Sequence, residues 1–254
     1  PPRRLRRRSA QQIGVVVSAP GIMDEPLPSS LRDLAPALEA LPIFPLPQTV
    51  LFPSALLPLH VFEPRYRAMI KDCLSTHKAL AIALIRDSAE RDVDLSSEPG
   101  HRRRHPTIEP VAGLGVIIDH AELADGRYNI LLQGRCRVKL EELPFVPPYR
   151  RAKATLLQAL PGEPPQHDVA ALLGSAAAFA ADIRARDPEF DFRIPPHTAP
   201  AAAADLAAHH LVLDARERQS ILETLDVSVR IRRTTEALAL QHAALRGHSG
   251  GRMN

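Results

Sequence analysis

The stretch that decides the architecture is Leu41-Pro42-Ile43-Phe44-Pro45-Leu46-Pro47, continued by Val50-Leu51-Phe52-Pro53 and by Leu57-Pro58-Leu59-His60-Val61-Phe62-Glu63-Pro64-Arg65-Tyr66. It is apolar yet crowded with proline. The run therefore reads as a strand at a sheet edge, where a missing donor is tolerated. Ser54 to Phe62 is a second apolar run. Glu63-Pro64 then opens a helix, with proline at its first position and Glu63 expected as its cap. Tyr66, Met69, Ile70, Cys73 and Leu74 recur at helical spacing, so one face of that helix meets a core up to about Ser75.

Downstream, Leu80 to Ile85 is continuously apolar and suits a strand buried on both faces. Asp87 to Pro106 is polar and reads as a long mobile loop. Val111 to His120 is a strand whose Gly113 and Gly115 imply a bulge or the close approach of another segment. Asp125-Gly126 marks a hairpin before Tyr128 to Leu132. Cys136, Val138 and Leu140 then alternate with Arg135, Arg137 and Lys139, a half-buried strand with a basic outer face. Tyr149 to Leu157 adds another strand. Such dense, short-linked strands predict a small antiparallel or mixed barrel over 31–161. After Pro161-Gly162-Glu163-Pro164-Pro165 the composition turns rich in Ala and Leu. Helices are expected near 166–186, 200–211, 214–225 and 227–246, with Asp214 capping the third and Glu217 three residues on. The fold class is α+β: a barrel followed by a helical bundle over 166–246, with a flexible tail at 247–254.

Composition narrows the function. Among 254 residues there are 25 prolines, no tryptophan and only 4% aromatics, which argues against an aromatic platform for single-stranded nucleic acid. Five arginines, Arg3, Arg4, Arg6, Arg7 and Arg8, fall in a basic, proline-broken arm read as disordered over 1–30. Without them, 27 basic side chains face 29 acidic ones, so the body is nearly neutral. Cys73 and Cys136 lack metal-ligand or disulfide-framework spacing and read as reduced, buried thiols of a cytoplasmic protein. No apolar run is long enough for a membrane span.

Few motifs carry chemistry. There is no phosphate-cradling G-x-x-x-x-G-K-[ST] pattern, and no cofactor or metal is expected. Gly247-His248-Ser249-Gly250-Gly251 fits G-x-S-x-G but follows the last helix, with nothing after it to supply a base and an acid. His101 and His105 flank three arginines, whose charge opposes a metal cation. His209-His210 reads as a helix feature, and Asp92 and Asp94 do not complete a calcium loop. Glu63, Arg65 and Arg67 read as structural ion pairing. No nucleophile, base and orienting group come together, so catalytic residues are not expected.

The proline-rich opening quoted above closely resembles that of the Lon protease N-terminal domain. Val111 to Ile118, Asp125-Gly126-Arg127-Tyr128-Asn129-Ile130 and Gly134-Arg135-Cys136-Arg137-Val138 fit further blocks, and so do Ala204-Asp205-Leu206-Ala207-Ala208, Arg218 to Glu223 and Leu225-Asp226-Val227. The resemblance covers about 41–246. It implies a PUA-like β-barrel followed by a helical bundle, and a role in recognising unfolded or tagged polypeptide. No Walker motif and no lysine after Lys153 is found, so the resemblance is to stand-alone members without the ATPase and peptidase modules. The function expected is a non-catalytic polypeptide-binding module, an adaptor in protein quality control whose further partner is a separate ATPase or protease. Phe44, Leu46, Phe52, Leu56, Leu57, His60, Glu63, Arg65 and Tyr66 are the candidate peptide-binding or scaffold residues. An extended substrate would add to a strand edge that prolines leave unpaired. The alternative is an RNA-binding PUA-like protein, resting on the arginine arm, Arg102 to Arg104 and the Arg135, Arg137, Lys139 face.

Overall fold

The structure is a computed structural model that describes residues 33–86, 91–93 and 104–250; the arm over 1–30, His101, Arg102 and Arg103 lie outside the described residues. The elements run α1 (Ala35–Leu38), β1 (Leu41–Leu46), β2 (Leu56–Val61), α2 (Pro64–Leu74), β3 (Ala79–Leu84), β4 (Arg91–Val93), β5 (Arg104–Pro106), β6 (Val111–Glu122), β7 (Tyr128–Glu142), β8 (Arg151–Leu157), α3 (Gln166–Arg184), α4 (Pro200–Leu211), α5 (Ala215–Glu223) and α6 (Val227–Gly250). Five strands close a barrel in the order β7-β6-β3-β1-β8, with β8 returning to β7, and β2 adds to the outer side of β7. The class is α+β.

The strand order follows from patterning. All six residues of β3 are buried, as its unbroken apolar run demands. The Asp125-Gly126 turn joins β6 to β7 antiparallel, and their register slips at Leu114/Gly115 and at Ile117/Asp119, so β6 is bulged. Gly113 and Gly134 are dictated by a crossing chain. A Cβ on Gly113 would lie 1.9 Å from the Leu51 carbonyl oxygen, and one on Gly134 would lie 2.0 Å from that of Phe52. Val50, Leu51 and Phe52, all fully buried, thus lie directly on the β6–β7 backbone. Ser54 N–H and the Ala55 carbonyl then clasp Gly134 at 2.9 and 2.8 Å.

The edge assignments differ from expectation. β1 is an interior strand, parallel to β3 over Ile43–Leu46. It meets β8 only at Leu41 and Pro42, so the β1–β8 seam opens beyond that point. The free edge of the sheet is β2, whose Pro58 is tolerated there. A short β4–β5 pair occupies part of the expected loop.

The helices begin and end close to expectation, and Asp214 accepts the Glu217 amide at 2.8 Å. Glu217 itself turns to Arg233 rather than closing a capping box. α6 runs on to Gly250, where a flexible tail was expected from 247. Ser249 falls within this helix.

The basic outer face of β7 is the main correction. Arg137 is only 6% exposed and points into the junction between barrel and bundle. Its guanidinium donates to both carboxylate oxygens of Asp205 in α4, at 3.0 and 2.5 Å, and to the Leu222 carbonyl at 2.8 Å. Arg230 of α6 reaches the same carboxylate at 2.9 Å. Arg135 is half-buried and holds Gln133, so Lys139 alone of the three is exposed. One apolar cluster continues from Phe44, Leu51 and Phe52 of the barrel region into Leu172, Phe179, Leu211 and Leu238 of the bundle. A second fills the barrel around Leu41, Ile43, Leu114 and Val138.

His209 is a second tie at this junction. Its Nδ1–H donates to the Val50 carbonyl at 3.2 Å, and its ring lies edge-on to Phe52. Burial, reinforced by His210 and Arg218, lowers its pKa to about 4.

Two stability outcomes follow. Asp205→Ala leaves two buried guanidinium groups facing each other, and is expected to cost about 3–5 kcal/mol in denaturant unfolding. A loss below about 1 kcal/mol would show the node to be incidental. His209 is neutral when folded and protonates more readily when unfolded. Its contribution is therefore complete above about pH 6.5 and is lost as pH falls towards about 4. The expected loss is about 3 kcal/mol, and His209→Gln should flatten that acid limb of the stability profile.

Candidate functional site

Where β1 parts from β8, a recess of about 210 Å³ opens into the barrel wall. Its near side is Ile43 to Pro47 with the start of α2. Its far side is the turn-rich segment carrying Phe145, Pro148, Tyr149 and Arg150, with His105 and Pro106 beside it. Among the described residues none beyond Arg150 lines it, so no described residue of the bundle covers it.

The floor is aromatic. Phe44 and Tyr66, each over nine-tenths buried, place their ring centroids 4.3 Å apart. The Arg65 guanidinium lies 4.6 Å above the Tyr66 ring and pairs with Glu63 at 2.8 Å. Glu63 thus turns to Arg65; its side chain makes no cap hydrogen bond to α2. The reason lies in the sequence: Pro64 already fixes the helical start, and Arg65 is the nearer and charged partner. The far wall is pinned by Arg150, which grips Glu142 with two hydrogen bonds of 2.8 and 2.5 Å and donates to the Pro106 carbonyl at 2.8 Å. Phe145 packs against His105, with centroids 4.5 Å apart.

Tyr149 is the wall shared with a second recess of about 340 Å³, bounded by Pro42, Asp72, His77 and Arg151. Its hydroxyl donates to Asp72 at 2.6 Å and accepts from Arg151 at 2.9 Å. Burial, then the bond to Asp72, raises the Tyr149 pKa. Nearby Cys73 is a buried free thiol held up at about 12 by desolvation, and Cys136 at about 11, so neither is a nucleophile at neutral pH. Among the described residues no cluster of His, Cys, Asp and Glu is placed to hold a metal ion.

Phe44, Leu46, Glu63, Arg65 and Tyr66 are therefore brought to one recess, and the other candidates lie elsewhere. Phe52 is wholly buried at the barrel–bundle junction, with Arg137 5.9 Å above its ring. Leu56 and Leu57 lie on β2, the first exposed and the second packed against the core. His60 is an exposed β2 residue bonded to Asn129 and Arg127. The wall supplied by Phe145, Tyr149 and Arg150 was not anticipated. Its signal was present: Pro144, Phe145, Pro147, Pro148 and Tyr149 repeat the proline–aromatic mixture of β1.

A five-stranded barrel with an open seam is thus tied to a helical bundle through a buried acid, leaving a cleft at the seam. The chain belongs to the family of the ATP-dependent protease La (LON) substrate-binding domain, whose model matches residues 40–239. It is 28% identical over 229 residues to a Lon protease of Roseiflexus castenholzii, covering 88% of this chain and 26% of that protein. It is 26% identical over 204 residues to a Lon protease of Desulfosudis oleivorans, covering 79% of this chain and 24% of that one. The chain thus spans about a quarter of the length of these relatives. The fold is shared with a Lon N-terminal domain protein from Xanthomonas campestris (TM-score 0.51, 22% identity, covering 76% of this chain and 94% of that one). It is shared also with the N-terminal domain of a Mycobacterium avium complex Lon protease (TM-score 0.53, 17% identity, covering 79% and 98%). Among the described residues no helix is long and apolar enough to cross a membrane.

The two halves of the α2 corner separate in stability. Tyr66→Ala removes a buried ring and is expected to cost about 3–5 kcal/mol. Glu63→Ala breaks an exposed pair and is expected to stay within about 1 kcal/mol of the parent. Denaturant midpoints measured side by side check both, and a large Glu63 effect would restore it as a helix cap.

Proposed function

We propose that this chain recognises unfolded polypeptide through the recess between β1 and the Phe145–Arg150 segment, and that it performs no hydrolysis itself. The observation that carries the reading is an uncovered, aromatic-floored cleft in a domain of the substrate-binding family. Its volume of about 210 Å³ suits one large apolar side chain, and Arg65 and Glu63 at the rim suit polar backbone on either side. The second recess beyond Tyr149 lets an extended segment continue along β1. Inert, reduced thiols accord with a cytoplasmic setting. Capture without cleavage leaves a separate ATPase or protease to process what is bound, an adaptor role.

Of the three features behind RNA recognition, the β7 face supports it less, because Arg137 serves the interior and Arg135 is half-buried.

The test is binding of fluorescently labelled, reduced and carboxymethylated α-lactalbumin. Phe145→Ala and Arg65→Ala, both at partly exposed positions, are expected to raise Kd by about tenfold, a change of roughly 1.4 kcal/mol, with unfolding midpoints nearly unchanged. Phe62→Ser, at a 61% exposed position following β2, serves as the control and should bind as the parent does. Loss with Phe62→Ser alone would move the site to the β2 edge. Cleavage of the bound protein would refute the non-catalytic reading.

A further inference from the structure

The backbone of β1 adds something that the aromatic floor does not. Successive residues of a strand direct their N–H and C=O groups to opposite edges. Leu46 faces β3, since its carbonyl accepts the Ile85 amide at 2.9 Å. Ile43 faces the other way, since its amide donates to the Arg150 carbonyl at 2.9 Å. By this alternation Pro45 also faces away from β3, towards the cleft that it lines. Pro45 is a buried residue, the β1–β8 ladder has ended at Pro42, and among the described residues no turn, loop or side-chain hydrogen bond reaches its carbonyl. Buried backbone acceptors are nearly always paired, so an open one lining a recess marks a place for a donor.

The same edge offers no amide in return. The Ile43 N–H is already spent on Arg150, and Pro45 and Pro47 have none. Ordinary strand addition exchanges donors and acceptors in both directions. Here the exchange runs one way. The Arg65 guanidinium, at the rim beside β1, is a flexible donor in the lining, and it turns to Glu63 through Nε and Nη2.

We infer that the cleft takes an extended polypeptide segment that donates a backbone N–H to the Pro45 carbonyl, on an edge that accepts and does not donate. This deepens the proposed function and rests on it. The side chain next to that donor enters the aromatic recess, and the segment's own carbonyls turn to Arg65 or to water. The occupant is thereby restricted: a residue without N–H, proline above all, is excluded at the docking position. The arrangement also keeps this β1 edge from pairing with the same edge of a second copy, because two acceptor-only edges cannot pair.

The experiment uses the full chain and a fluorescein-tagged octapeptide of alternating Thr and Val with one central Leu, carrying a photo-crosslinking group. Each backbone nitrogen is methylated in turn. Methylation at one residue, or at residues two apart, is expected to weaken binding by about tenfold. The intervening positions should stay within about threefold of the parent, and crosslinks should map to 43–47 and 145–150. Equal tolerance at every position, or equal losses at adjacent positions, would overturn the one-way pairing. If in that case the parent peptide still crosslinks to the cleft and competes with unfolded α-lactalbumin, the proposed function stands and only this inference falls. If the unmethylated peptide and unfolded α-lactalbumin both fail to reach the cleft, the proposed function falls with it.

Discussion

One buried carboxylate holds this molecule together. Asp205 is 3% exposed and stands between two guanidinium groups, Arg137 from the barrel and Arg230 from the last helix. Burying three charges carries a large desolvation cost, offset only where the geometry satisfies nearly every donor. Arg137 meets that condition with both carboxylate oxygens and the Leu222 carbonyl. Such a node stabilises less through its own energy than through what it forbids. A bundle rotated away from β7 would strand charges in an apolar interior. The bundle is therefore fixed over the β6–β7 side, and the β1–β8 seam on the other side of the barrel stays open.

The open seam has its own cause. Val50 to Phe52 must lie on the backbone of β6 and β7, which only Gly113 and Gly134 permit. That crossing carries the chain from β1 to the far side of the sheet, where β2 pairs with β7 instead of prolonging β1. β8 meets only the first two residues of β1, and prolines at 45 and 47 remove the amides that further pairing would use. The recess is what remains when the ladder stops. Arg150, by clamping Glu142 and Pro106, keeps the far wall from collapsing into it.

Much of this was legible in the chain, and the parts that were not share a physical reason. The unbroken apolar run of β3, the Asp214 cap and the stripe on α2 are local signals, each read from neighbours in sequence. Gly113 and Gly115 announced a bulge or a close approach without saying of what, and Gly134 gave no such notice. Arg137 misled because alternation reports which face of a strand a side chain is on, not what later covers that face. The available hint was Asp205, a lone acid in an alanine-rich helix. Glu63 misled for the opposite reason, since a closer partner two residues away took its carboxylate. The cleft was half legible. Its β1 and α2 wall is contiguous in sequence, whereas the Phe145–Arg150 wall is about a hundred residues away and is brought in only when β8 closes the barrel.

The most direct measurement is amide hydrogen exchange of the intact chain, free and saturated with reduced, carboxymethylated α-lactalbumin. Slowed exchange is expected only at the seam: residues 43–47, the first turn of α2 and 145–150. The β2 edge and the outer surface of the bundle should exchange as in the free protein. Protection along β2 or across α3 and α6, with the seam unchanged, would contradict that expectation.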